Sequence, residues 1–288
     1  VITLPETDAA DFAAISVELR DYPDYPADES DPTQLNPMTT VAADTIVEFK
    51  RDGTVVREFR LLDMLDPYRI SYGSLAPFWN PHYGLMGTAD WAHANAVILD
   101  EEDDAYIVSL RSQDAIVKFS RQTQEVLWIM GDPAGWQEPW ASKLLSPEPG
   151  QPEFNWQYHQ HAPELTQNGT LIFFDNGNGR AIAPAPELPD SQRASRAIEV
   201  SIDEQALTLR QEWSYHRNVD GPWYSSFLGD ADRLTNSVLV TDGGKFVTGT
   251  EVGYAGHYLY RRPLAPDLLP PGLPRLVFAD RTEEVAFE

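Results

Sequence analysis

The chain has 288 residues, 42% of them hydrophobic, enough to bury one large β domain or two smaller ones. Its 45 acidic against 21 basic residues give a formal charge of −24, which excludes the broad basic footprint that nucleic acid or an anionic membrane requires but still allows a local pocket for a small anion. Cysteine is absent, which excludes disulfides, thiolate zinc sites and cysteine nucleophiles, and no apolar run approaches the roughly 18–20 residues of a spanning helix.

Residues 1–43 are rich in Pro, Asp and Thr, and Asp21-Tyr22-Pro23-Asp24-Tyr25-Pro26 reads as extended or turn conformation. An extended N-terminal segment packed across a surface is expected there. The opening Val1-Ile2-Thr3-Leu4-Pro5, with neither Met nor a signal pattern, reads as a processed or truncated chain. From Asp44 the pattern changes. Ile46 to Phe59 alternates about Asp52-Gly53, a strong hairpin signal. Ala96–Leu99 and Tyr106–Leu110 flank an acidic turn at residues 101–104, Ile116–Phe119 returns as Val126–Ile129, and Thr170–Phe174 follows Asn168-Gly169. Ala197–Val200 returns as Leu207–Leu209 and Trp213, and Ser237–Val240 as Phe246–Thr248.

Val47, Val117 and Ile198 mark equivalent points at intervals of about 70 to 80 residues, each interval holding a second strand pair. The expected fold is all-β, a β-propeller of long, irregular four-stranded blades over residues 44–262, followed by a Pro-rich tail at 263–288. A β-sandwich of similar hairpins is the alternative. About four such blades fit the length, so either short blades are missed or the ring is completed from outside the chain, by a homo-oligomer or a partner chain.

His93 lies in a joint just before a strand, where propeller loops gather at the mouth of a channel; its other reading is a hydrogen-bonded structural histidine. His159 and His161 alternate, and with His93 they could hold a metal, but no carboxylate sits at a ligand spacing and no metal site is assigned. Arg180, closing the turn Asp175-Asn176-Gly177-Asn178-Gly179, is either an oxyanion partner or a bridge to Asp175. That turn lacks the closing glutamate of a calcium loop. Trp91, Trp136, Trp140 and Trp156 flank these joints and are candidates for a pocket wall.

Asp90-Trp91-x-His93-x-Asn95, Ser109-Leu110-Arg111-x-Gln113, Trp128-Ile129-x-Gly131, Gln160-His161, Phe174-Asp175-Asn176-Gly177-x-Gly179-Arg180 and Ser195-Arg196-x-x-Glu199 occur in the order of bacterial arylsulfate sulfotransferases, which residues from about 44 to about 262 resemble. The resemblance implies a six-bladed, usually exported propeller that moves a sulfuryl group from a phenolic sulfate ester to a phenol, with no nucleotide donor or other cofactor, through a sulfohistidine. It further implies that His93 and His161 contact the sulfuryl and phenolic oxygens and that Arg180 neutralises the group in flight. Asn95, Arg111, Trp91 and Trp156 are expected to contact substrate, and the location is periplasmic or secreted. The family's nucleophilic histidine should follow Gly243-Gly244, where this chain has none. Three outcomes stay open: His257 substitutes, His161 or His93 is promoted, or the chemistry is lost and the propeller is a non-catalytic binding or scaffold protein.

Overall fold

The computed structural model describes residues 1–79, 84, 87–150, 154–216, 223–234, 237–241 and 243 in full, and the backbone of 248–253 and 258–263. The architecture is a succession of antiparallel sheets. In the first, β1 (Ile2–Thr3), β2 (Phe12–Pro26), β3 (Leu35–Phe49) and β4 (Val55–Arg60) pair in sequence order, the four-residue helix α1 (Leu61–Met64) follows, and β5 (Thr88–Asp90) returns parallel to β3. The second sheet is β6 (Ala94–Asp100), β7 (Ala105–Leu110), β8 (Ala115–Ser120) and β9 (Val126–Gly131). A two-residue strand, β10 (Ser146–Pro147), then borders the third sheet, made of β11 (His161–Leu165), β12 (Leu171–Asp175), β13 (Arg196–Asp203) and β14 (Thr208–Tyr215). The fourth is β15 (Asp230–Arg233), β16 (Ser237–Thr241), β17 (Thr248–Gly253) and β18 (Tyr258–Pro263).

These sheets are propeller blades, and their registers repeat. In each, the third strand meets the fourth with a register shift immediately after one charged residue: Glu48, Lys118, Glu199 and Glu251, the first three each one place beyond the hydrophobic marker of its repeat. Their partners on the fourth strands are Arg57, Trp128, Trp213 and Tyr260. A bulge at the same point of every blade adds twist where neighbouring blades must splay. Glu48, Lys118 and Glu199 are buried, and each takes an opposite charge from the next blade: Arg121 at 2.8 Å, Glu204 at 2.6 Å, and Arg233. Buried charges persist only when paired, so these contacts define which blade face meets which.

The core lies between blades. Phe59, Tyr106 and Phe119 pack between the first two, Ile107, Trp128, Phe173 and Ile198 between the second and third, and Phe174, Trp223 and Val238 between the third and fourth. Middle strands covered on both faces explain the continuous apolar runs of β7 and β12, every residue of which is buried.

The N-terminal region differs from the extended segment expected at 1–43. Phe12–Pro26 pairs with Leu35–Phe49 along their whole lengths, and the expected boundary at residue 44 falls inside β3. No residue from 14 to 24 is buried, so this part of the ribbon carries none of the hydrophobic alternation by which strands are recognised. In the fourth blade, β16 pairs with Thr248–Gly253 rather than Phe246–Thr248; Phe246 and Val247, like His257 and the tail beyond Pro263, lie outside the described residues. Among the described residues no helix is long and apolar enough to cross a membrane.

Candidate active site

Three joints build the site. The first leaves β5 at Asp90 and turns sharply, with His93 in the left-handed region at φ 48°, before β6 begins. Such a conformation costs a non-glycine residue on the order of 1 kcal/mol and persists only where neighbours enforce it. Trp91 is one enforcer: 1% exposed, its indole N–H bonded to the Arg69 carbonyl at 3.0 Å, it is a core anchor. The Asp90 carboxylate takes the Trp79 indole N–H at 2.8 Å and, through its other oxygen, the Nδ1 of His93. Because a carboxylate only accepts, Nδ1 is the donor and the lone pair of the neutral ring is on Nε2. The Phe78 ring stands edge-on to the imidazole at 4.6 Å.

The second joint, the single turn Arg111–Gln113 between β7 and β8, is bonded directly to the first. Ser112 N–H donates to the Ala92 carbonyl at 2.9 Å, Arg111 N–H to the His93 carbonyl at 3.3 Å, and the Gln113 amide to the Trp91 carbonyl at 2.6 Å. Among the described residues the Arg111 guanidinium has no hydrogen bond or ion pair, and burial holds its pKa down although Asp114 and Asp90 oppose this. A Cβ on Gly73 would lie 3.3 Å from His159 Nε2 and from Ser112 Oγ, and 3.5 Å from Arg111 Nη1. With φ at +96°, glycine suits this position twice over, since a side chain would also crowd three polar atoms. Ser112 Oγ is buried without a partner among the described residues.

The third joint carries the other histidines into β11. His159, at φ 55°, donates its backbone N–H to Asp114 Oδ1 at 2.8 Å, and burial, reinforced by Arg111, His161 and His93, takes its pKa well below the usual histidine value. Asp114 is itself pushed up to about 7 by burial, against a hydrogen bond from Ser71 at 2.6 Å. His161 Nδ1 faces two acceptors, the His159 carbonyl at 3.0 Å and Asn176 Oδ1 at 2.7 Å, whereas the Leu228 N–H points at its Nε2 at 3.3 Å. The Asn176 amide nitrogen donates to the carbonyls of Ser225 and Leu228, which confirms its oxygen as the acceptor. His161 is therefore the neutral Nδ1–H tautomer, its pKa lowered to about 4 chiefly by burial.

Arg111 and His93 thus act electrostatically on both His159 and His161, while Arg180 is engaged elsewhere. Its guanidinium donates to Asp175 at 3.1 Å, to the Ala194 carbonyl at 2.7 Å and to the Trp156 carbonyl at 3.3 Å, the bridging arrangement that was one of its two readings. Arg196 holds the same carboxylate at 2.8 Å, and Asp175 in turn takes the Tyr158 N–H at 2.9 Å. Trp156 supplies that carbonyl and packs its ring against Phe154 at 4.9 Å. The Asn95 amide donates to the Gln160 carbonyl at 2.7 Å, leaving its oxygen buried and unpartnered among the described residues.

His159 and His161 do not share one side of an extended strand, because left-handed residues at 159 and 162 break the run. Among the described residues no three histidines bring nitrogens within 4.8 Å; the acidic trio that does converge, Asp100, Asp103 and Glu204, surrounds the Lys118 ammonium. The sequence reading gives no role to Asn176, although it lies within the noted turn 175–179, or to Asp114, whose one signal is its place after Gln113.

A propeller whose blade joints bring His93 and His159 near an arginine that has no partner among the described residues defines the class. Residues 26–258 match the model of the arylsulfotransferase (ASST) family, and the chain belongs to that family. It is 33% identical over 264 residues to the arylsulfate sulfotransferase AssT of Escherichia coli O6:H1 (strain CFT073), covering 75% of this chain and 43% of that protein. The AssT of Lelliottia amnigena is 34% identical over 220 residues, 63% of this chain and 36% of its own. The chain thus spans less than half the length of these relatives. The solved structure of periplasmic gluconolactonase PpgL from Pseudomonas aeruginosa aligns with 77% of this chain and 51% of its own at a TM-score of 0.40 and 11% identity.

Proposed function

We propose that this propeller transfers a sulfuryl group from an aryl sulfate to a phenol, with His93 as the residue that carries it. The observation that supports this most is the Asp90–His93 pair set beside an uncommitted Arg111, on two joints bonded to each other. Asp90 orients the ring and stabilises the cation that forms on it, as a carboxylate does for any nucleophilic imidazole. The Nε2 lone pair of His93 attacks sulfur; the N–S bond forms, the S–O bond to the ring breaks, and the phenolate leaves to take a proton. The acceptor phenol then attacks sulfur, loses its proton, and returns the electron pair of the N–S bond to Nε2.

Charge develops on the peripheral sulfuryl oxygens, as in phosphoryl transfer, and a fixed guanidinium lowers the barrier more there than a solvated one would. Arg111 fills this role in our reading. His161, neutral and bonded to Leu228, ties the segment around Leu228 to the third joint, and Arg180 positions Asp175 and so the turn carrying Asn176. The reading includes export to the periplasm or beyond, as the family resemblance implies. The test is turnover of a chromogenic aryl sulfate by the purified chain, rising when a phenol is added. Folded protein that binds the ester but releases no phenol points instead to a non-catalytic binding propeller.

A further inference from the structure

Beside His93 lies a cavity of about 370 Å³, within the usual range for small-molecule sites. Ile15 and Val17 of β2 and the rings of Phe78 and Trp79 line it with apolar groups, while Ser16, Asp44 and Asn95 are polar residues in its wall. We propose that this cavity seats the aromatic ring of the substrate and that the Asp44 carboxyl makes it select aryl sulfates and phenols bearing a neutral hydrogen-bonding substituent over anionic ones. The inference rests on the reading of His93 as the sulfuryl carrier.

The geometry supports both parts. His93 lines the same cavity, so a ring seated against Phe78 and Trp79 lies beside the imidazole, with room for one ring and a substituent. Asp44 is 4% exposed, and one of its oxygens takes the Ala94 N–H at 2.8 Å. Burial pushes its pKa up to about 8, with Asp90 as the charged neighbour that adds to the effect. Below that pH the carboxyl is neutral and donates as well as accepts, which suits an amide, carbonyl or hydroxyl on the ring. An anionic substituent would instead lose its hydration next to a carboxyl and near Asp90, with no Lys or Arg among the described residues that line the cavity to replace the lost water.

Two esters of nearly equal shape separate these cases: 4-carbamoylphenyl sulfate and 4-carboxyphenyl sulfate, titrated calorimetrically into the intact chain at about pH 6. The amide ester is expected to bind about tenfold more tightly or better. Val17→Trp, at a position 38% exposed and so tolerant of bulk, should weaken both esters about tenfold with the melting temperature kept. Asp44→Leu should weaken the amide ester and narrow the preference, and Asp44→Asn should retain it. Equal affinities in the unaltered chain, or unchanged binding by Val17→Trp, would overturn the proposal. Turnover without the preference removes the cavity's role and leaves His93 chemistry standing; the preference without turnover does the reverse.

Discussion

Two arginines of the same sequence stand in opposite states. Arg180 is spent on Asp175 and two carbonyls, whereas Arg111 is half-buried without a partner among the described residues, an arrangement that costs stability and is kept where charge must be offered to a ligand. Arg180→Gln is accordingly expected to lower stability by about 2 kcal/mol, since it removes one of two cations from a buried carboxylate. Arg111→Gln is expected to leave stability within about 1 kcal/mol of the parent while abolishing sulfate-induced stabilisation; denaturant and thermal melts with and without sulfate measure both. His161 gives a pH signature. Its pKa falls from 6.5 in the unfolded chain to about 4 in the fold, so its contribution is complete above the unfolded value and is lost as pH falls through that window. At about pH 5 the loss is of the order of 2 kcal/mol, and His161→Gln should flatten that part of the stability profile. Imidazole NMR shifts should show this ring untitrated at about pH 6. Motif order brought His93, Arg111, His161 and Arg180 to notice together, yet nothing in residue type distinguishes a bridging arginine from an uncommitted one; that depends on Asp175 and Ala194, contacts made across the turn.

Among the elements, the hairpins about Gly53, about residues 121–124 and about residues 203–206 were legible, because each joins strands of clear composition through a short polar turn. The β2–β3 ribbon was not, since its outer part buries neither face and only pairing reveals it. The buried charge beside each bulge was also hidden. Glu48, Lys118 and Glu199 look like solvent-facing residues of amphipathic strands, and only the next blade makes them interior. Lys118, with no exposure of its side chain and three carboxylates around it, is the most demanding of these contacts. Lys118→Met should cost about 3 kcal/mol, because Asp100, Asp103 and Glu204 would be left facing one another. Glu204→Gln, which leaves two partners, should cost less than half as much by the same denaturant measurement.

For the molecule as a whole, four blades share one repeated bulge, their joints bring Arg111 close to His93 and His159, and in a chain of charge −24 Arg111 stands uncommitted among the described residues. That contrast suits a site which takes a small aryl anion and rejects polyanions. His93 is not the position that the family resemblance implies for the nucleophile, which falls where this chain has no histidine. Acid-quenching the chain during turnover of an aryl sulfate and mapping the modified peptide by mass spectrometry tests the claim most directly. Our account predicts one sulfuryl group on His93, absent from His93→Ala and depleted in Asp90→Asn; a sulfuryl group on another histidine, with His93→Ala still turning over at the parent rate, would contradict it.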